Sequence, residues 1–94
     1  MSKLLAYHIF VYGRVQGVGF RYWTVSLARA FNVSGWVRNS ENYHCVEIFA
    51  ESKTQADLDE FIEAVKKEHP YAKVDATELS AVAPAHCKGF RVIR

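Results

Sequence analysis

An α+β sandwich, with element order β-α-β-β-α-β, a short extra C-terminal strand and two helices on one face of an antiparallel sheet, is the fold class this sequence predicts. Three observations carry that expectation. Several short segments alternate with period two, two others repeat with helical periodicity, and glycine, proline and asparagine fall between them. At 94 residues, 50% hydrophobic and 23% charged, the chain has the composition of one globular domain, taken as residues 1–94.

Residues 5–13 set Leu5, Tyr7, Ile9 and Val11 against Ala6, His8, Phe10 and Tyr12, the alternation of a half-buried strand. Arg14 to Phe20 contains Gly17 and Gly19, which license a tight loop with unusual backbone angles. From Arg21 the pattern turns helical, with Phe20, Thr24, Leu27 and Phe31 on one stripe and an end near Asn32. Val33 to Asn39 reads as a strand with Val33, Gly35, Val37 and Asn39 on one face. A turn at Ser40–Tyr43 leads to a strand at His44–Glu51, where Val46, Ile48 and Ala50 share a face.

The second helix opens with Thr54 and Asp57 spaced as a capping pair, buries Leu58, Phe61, Ile62 and Val65, and stops before Pro70. Lys66 and Lys67 complement its C-terminal dipole and Glu63–Lys67 adds an i,i+4 pair. Lys73–Ala81 fits a fourth strand, and Phe90–Ile93 a short last one. This order is the split βαβ, ferredoxin-like arrangement.

Charge is unevenly distributed. Residues 1–40 hold Lys3, Arg14, Arg21, Arg29 and Arg38 and no acid, whereas residues 41–94 hold seven basic and ten acidic residues. An acid-free stretch of that length suits an anionic ligand. The longest apolar runs, such as Ile9–Tyr12, fall far short of the roughly 20 residues that span a bilayer, so no membrane association is expected. The segment Met1–Ala6 lacks the apolar core and cleavage site of a secretory signal, which gives a cytoplasmic expectation. Cys45 and Cys87 are too few for a disulfide framework and are read as thiols. Each follows a histidine, yet neighbours on an extended chain face opposite ways, so no metal site is expected from His44-Cys45 or His86-Cys87. His8 and His69 have no evident ligand partners in the sequence.

The first helix breaks a rule that the second obeys: its opening turn carries Arg21 and no acid, which works against the macrodipole. An anion bound there would resolve the conflict, held by free N–H groups, a glycine-loosened approach and a guanidinium fork. The loop Gly17-Val18-Gly19-Phe20-Arg21-Tyr22 fits neither a Walker A motif nor a dinucleotide fingerprint. A phosphate therefore fits this loop, as does a plain tight strand-to-helix turn with a surface arginine, and a nucleotide is not indicated.

The run Gly13-Arg14-Val15-Gln16-Gly17-Val18-Gly19-Phe20-Arg21, followed by Gly35-Trp36-Val37-Arg38-Asn39 and the ending Gly89-Phe90-Arg91-Val92-Ile93-Arg94, closely resembles the acylphosphatase family over the whole chain. The resemblance implies metal-independent hydrolysis of the carboxyl-phosphate bond of acyl phosphates, with no cofactor and with inorganic phosphate as product and inhibitor. It assigns the phosphate-binding arginine to Arg21 and the water-orienting asparagine to Asn39. The phosphate cradle falls on Val15, Gln16, Gly17, Val18, Gly19 and Phe20, mainly through backbone N–H groups. One departure stands out: after Asn39 the family carries a short turn containing Asp-Gly, whereas Ser40-Glu41-Asn42-Tyr43-His44 has no glycine and is one residue longer. Asn42 is the residue expected to adopt the left-handed conformation in its place.

The implied chemistry fits the residues. A carboxylate leaving group, whose conjugate acid has a pKa near 4 by analogy with Asp and Glu, needs no general acid. The attacking water needs placement more than deprotonation when the transition state is loose. Two other readings are weighed: a non-catalytic anion-binding module on the same loop, and a ferredoxin-like RNA binder. Lys88-Gly89-Phe90 begins like an RNA-binding signature but continues Arg91-Val92, lies in the last strand, and accompanies a pI of only 8.6. No nucleic-acid partner is expected, and the size suits a monomer.

Overall fold

A computed structural model describes residues 3–42 and 44–93. In chain order the elements are β1 (Leu5–Arg14), α1 (Phe20–Ala30), β2 (Ser34–Asn39), β3 (Cys45–Ser52), α2 (Gln55–Lys67), β4 (Lys73–Val82) and β5 (Phe90–Val92). The sheet order is β4-β1-β3-β2-β5, so the ferredoxin-like arrangement is present. Each expected element forms, with boundaries displaced by one or two residues.

The sheet is mixed, not wholly antiparallel. β1 and β2 both run antiparallel to β3, and β4 antiparallel to β1, whereas β5 pairs parallel with β2. Connectivity dictates this. β4 ends at the end of the sheet where β2 begins; the chain crosses there through residues 83–89 and can only run alongside β2 in the same direction. The crossing is fastened by Glu51, which is 1% exposed. Its carboxylate accepts backbone hydrogen bonds from Ala85 at 2.9 Å and His86 at 3.2 Å, and another from Cys87. Three donors satisfy a buried charge that would otherwise be costly.

The core lies between the helices and one sheet face. Ile9, Val11, Val37, Val46, Ile48 and Ala50 meet Phe20, Val25 and Ala28 of α1 and Leu58, Phe61, Ile62 and Val65 of α2. On α1 the buried positions are Phe20, Thr24, Val25 and Ala28, so the stripe is rotated from the expected one; Leu27 and Phe31 pack only at its margin. The Thr24 hydroxyl donates to the Phe20 carbonyl at 2.8 Å, which explains a polar side chain there. On α2, Thr54 caps as expected, its Oγ1 accepting from the Asp57 N–H at 3.2 Å.

β3 is buried along its full length, on both faces, where alternation predicts one. Its central position and an aromatic cluster on the outer face cause this: Trp36 stacks on Phe49 at 6.0 Å, and His8 meets Phe10 edge-on at 4.7 Å. Beneath them Glu47 bridges two bases, accepting from Arg38 Nε at 2.6 Å and contacting His8 Nε2. Burial works to raise the Glu47 carboxyl, but the hydrogen bonds and charges of Arg38 and His8 outweigh it and hold the group below the usual carboxylate range.

The β2–β3 hairpin also departs from expectation. Asn42 is not left-handed; among the described residues, the non-glycine positions with positive φ are Asn32 and His86. The Asn42 side chain instead closes the turn locally, its Oδ1 accepting from His44 N–H at 2.9 Å, while Asn42 N–H donates to Ser40 Oγ at 3.1 Å. Tyr43 lies outside the described residues. The strands beyond the turn keep unbroken register from Asn39↔Val46 to Ser34↔Glu51.

A carboxyl depressed on folding contributes stability that is complete above its unfolded pKa, about 4.3 for glutamate, and is lost as pH falls through the lower folded value. Thermal melts of the wild type should therefore be flat near neutrality and decline below about pH 4. Glu47→Gln should lower the pH 7 melting temperature by roughly 5 °C, the scale of about 1 kcal/mol in a domain of this size, and should weaken that acid dependence.

Candidate active site

The strand-to-helix connection after β1 is an unusual concentration of unpaired donors. Gly17 and Gly19 have φ of 77° and 75°. Gly19 is the N-cap of α1, left-handed and without a side-chain cap, and no acid follows in the first turn. Among the described residues, the backbone N–H groups of Gln16 through Tyr22 donate to no protein acceptor, and hydrogen bonding resumes with Trp23 N–H to Gly19 carbonyl at 3.1 Å. Seven consecutive donors with the dipole of α1 behind them form a nest suited to an anion. Neither glycine faces a neighbour where a Cβ would go, so what demands glycine there is the left-handed backbone itself.

A broad cavity lies beside this connection. It encloses about 920 Å³ and is lined by Arg21, Tyr22, Val25, Ser26 and Arg29 of α1, Asn39 at the end of β2, and Phe90, Arg91, Val92 and Ile93 at the C-terminal edge. Arg21 and Asn39, eighteen positions apart in sequence, are thereby brought into one concavity. Val15, Gln16, Gly17, Val18, Gly19 and Phe20 do not line it: Val15 and Phe20 are buried in the core and the rest form the adjoining turn. Among the described residues, no carboxylate lines the cavity.

Three cavity arginines refine the reading of charge. Arg38 of the acid-free stretch pairs with Glu47 on the outer face, whereas Arg91, from the acidic half, reaches the cavity lining. Arg29 follows Arg21 and Val25 at four-residue steps on α1, a spacing that marks one helix face and could have identified it from sequence. Arg91 had no local signal, because β5 reaches this edge only through the crossing held by Glu51.

The Gln16 side chain turns away from the cavity. Its Nε2 lies 2.8 Å from the Asn42 carbonyl, 2.8 Å from the Cys45 carbonyl and 3.4 Å from the Ser40 carbonyl. The Gly13 N–H adds a main-chain bond to the His44 carbonyl at 2.8 Å. The connection carrying the nest is thus tied to the hairpin that follows Asn39.

Both cysteines are free thiols. Burial pushes the Cys45 thiol up, with Glu47 adding to the effect against a lowering contact from Ser40; burial and the neighbouring Glu51 carboxylate push Cys87 up. Neither lines the cavity. Among the described residues, no group of three or more His, Cys, Asp or Glu side chains is placed to hold a metal, and no helix is long and apolar enough to cross a membrane.

Fold and site together define a class: a ferredoxin-like sandwich with an arginine-bearing cavity beside a helix N-terminus. The acylphosphatase family model matches residues 7–92. An acylphosphatase of Treponema denticola is 52% identical over 91 residues, covering 97% of this chain and 95% of that protein. Among solved structures, the acylphosphatase from Bacillus subtilis superimposes with a TM-score of 0.89 at 37% identity, covering 96% of this chain and 99% of that one. One from Coxiella burnetii gives 0.88 at 27% identity, with 96% and 93% coverage. The chain belongs to the acylphosphatase family and is an acyl phosphate hydrolase.

Replacing both thiols should leave the chemistry intact. A Cys45→Ala, Cys87→Ala variant should retain most of its turnover of an acyl phosphate, with any loss confined to melting temperature because Cys45 is only 2% exposed.

Proposed function

We propose that residues 1–94 act as one catalytic domain in which the connection Val15–Phe20, through its free N–H groups from Gln16 onward, and the Arg21 guanidinium hold the phosphoryl group of an acyl phosphate, while Asn39 orients the attacking water. The observation that carries this reading is the run of seven unpaired N–H groups leading into a cavity that Arg21 and Asn39 share. Amide donors fixed by the fold stabilise charge spread over the phosphoryl oxygens without reorganising during reaction. The arginine fork complements them bidentately.

The reaction breaks the bond between the acyl oxygen and phosphorus and forms one from water oxygen to phosphorus. The products are a carboxylate and inorganic phosphate. The leaving carboxylate accepts the departing electron pair without a proton donor, as its low conjugate-acid pKa permits. The Asn39 amide oxygen accepts one water hydrogen and so aims the water lone pair in line. Neither a carboxamide nor a guanidinium changes protonation near neutrality, so the protein supplies positioning and electrostatics, not proton transfer. Inorganic phosphate, sharing the nest, acts as competitive inhibitor. The remaining parts of the proposal are a monomer working in the cytoplasm, without a metal, on a small-molecule substrate.

Steady-state hydrolysis of benzoyl phosphate tests the assignment. Arg21→Ala should remove nearly all activity and weaken phosphate inhibition, and Arg21→Lys should also be poor because a point charge does not replace the fork. Asn39→Ala should lower kcat roughly 10²-fold with phosphate affinity nearly unchanged. Turnover should persist in a chelator and vary little between about pH 6 and 8 apart from substrate ionisation. Undiminished phosphate inhibition in Arg21→Ala would sink the arginine's role.

A further inference from the structure

We propose that Gln16 is a positioning residue whose side-chain amide clamps the β2–β3 hairpin and thereby fixes the backbone that places Asn39. The proposal rests on the reading of Asn39 as the water-orienting group. Carbonyl oxygens only accept hydrogen bonds, so the Gln16 atom facing those of Ser40, Asn42 and Cys45 is the NH₂ nitrogen. Its two protons serve the two carbonyls at 2.8 Å, and the Ser40 carbonyl at 3.4 Å is a longer third contact.

Those carbonyls are already partly used within the hairpin. Ser40 N–H donates to Cys45 carbonyl and Cys45 N–H to Asn42 carbonyl, each at 3.1 Å. A carbonyl has two lone pairs, and Gln16 takes the second on each. A turn without glycine is in this way drawn together by a residue of another loop. Asn39 itself makes no side-chain hydrogen bond to any described residue, and it is exposed. With no side-chain partner, its Cβ is placed by the backbone alone, and that backbone runs directly into Ser40, whose carbonyl Gln16 contacts at 3.4 Å. A misplacement of about 1 Å at such a group is enough to cost turnover heavily.

The test separates placement from binding. Gln16→Met keeps an unbranched side chain of similar length and removes both donors. It should lower kcat for benzoyl phosphate about 10-fold while the inhibition constant of inorganic phosphate changes less than about 2-fold. In an Asn39→Ala background the same substitution should change the residual kcat by less than about 2-fold, because a clamp acting through Asn39 has nothing left to position. Three results would overturn the proposal: an unaltered kcat, a full 10-fold loss in the Asn39→Ala background, or a rise in the phosphate inhibition constant that matches the loss of kcat. The last would make Gln16 a phosphate ligand.

Wild-type turnover in Asn39→Ala alone would instead refute the role of Asn39, a separate failure. Hydrogen exchange on the wild-type protein keeps the clamp testable even if the variant does not fold. The Gln16 carboxamide protons should exchange at least about 10-fold more slowly than in an unstructured peptide. Exchange at the peptide rate would show that no clamp exists.

Discussion

The insertion of β3 between β1 and β2 is the constraint on which the rest depends. Because both outer strands run antiparallel to β3, they are parallel to each other and end at the same end of the sheet. The chain leaving β1 enters α1 there, and β2 finishes there with Asn39. A helix N-terminus and a strand terminus are thus delivered to one place, about two strand spacings or 10 Å apart, and the gap is within reach of an arginine and a carboxamide. The start of β3 fills the gap between them, which is why a side chain from the first connection meets carbonyls of the hairpin.

The same topology explains how charge is divided. Side chains alternate across the sheet, so Asn39 faces the helices and the cavity while Arg38, its neighbour, faces the opposite layer and pairs with Glu47. Each face uses basic residues differently: the outer one pairs Arg38 with a buried carboxylate, and the cavity keeps Arg21, Arg29 and Arg91 with no carboxylate lining it among the described residues. An anion is what that cavity lacks electrostatically, and the seven unpaired amides beside it lack the same thing. Glu51 and the Ala85–Cys87 amides form a miniature of that arrangement within the protein: backbone N–H groups converging on an anion. There the carboxylate is intramolecular and its function is to hold the crossing that brings β5 to the cavity edge.

Much of this was legible in residues that act locally. Gly17 and Gly19 announce left-handed backbone, the missing acid before Arg21 announces an uncompensated dipole, and Thr54 announces the start of α2, all without reference to distant contacts. Where the reading failed, a distant partner was responsible. Asn42 has the intrinsic freedom for the left-handed region, yet its side chain closes the turn while Gln16 gathers the carbonyls from outside. The stripe of α1 is rotated toward Val25 because its neighbours are β2 and β5, a packing that periodicity cannot specify.

The sequence by itself determined which elements form and what chemistry they carry: helical and strand periodicities, turn glycines, an arginine at a helix start and an asparagine at a strand end are properties of short segments. Only the tertiary structure decided that β5 runs parallel, that β3 is buried on both faces, that Arg29 and Arg91 share a cavity with Arg21, and that Gln16 spans two connections. The physical reason is range. Backbone preference and side-chain alternation act over a few residues, whereas a cavity lining and a shared carbonyl exist only once strands far apart in sequence have been paired in register.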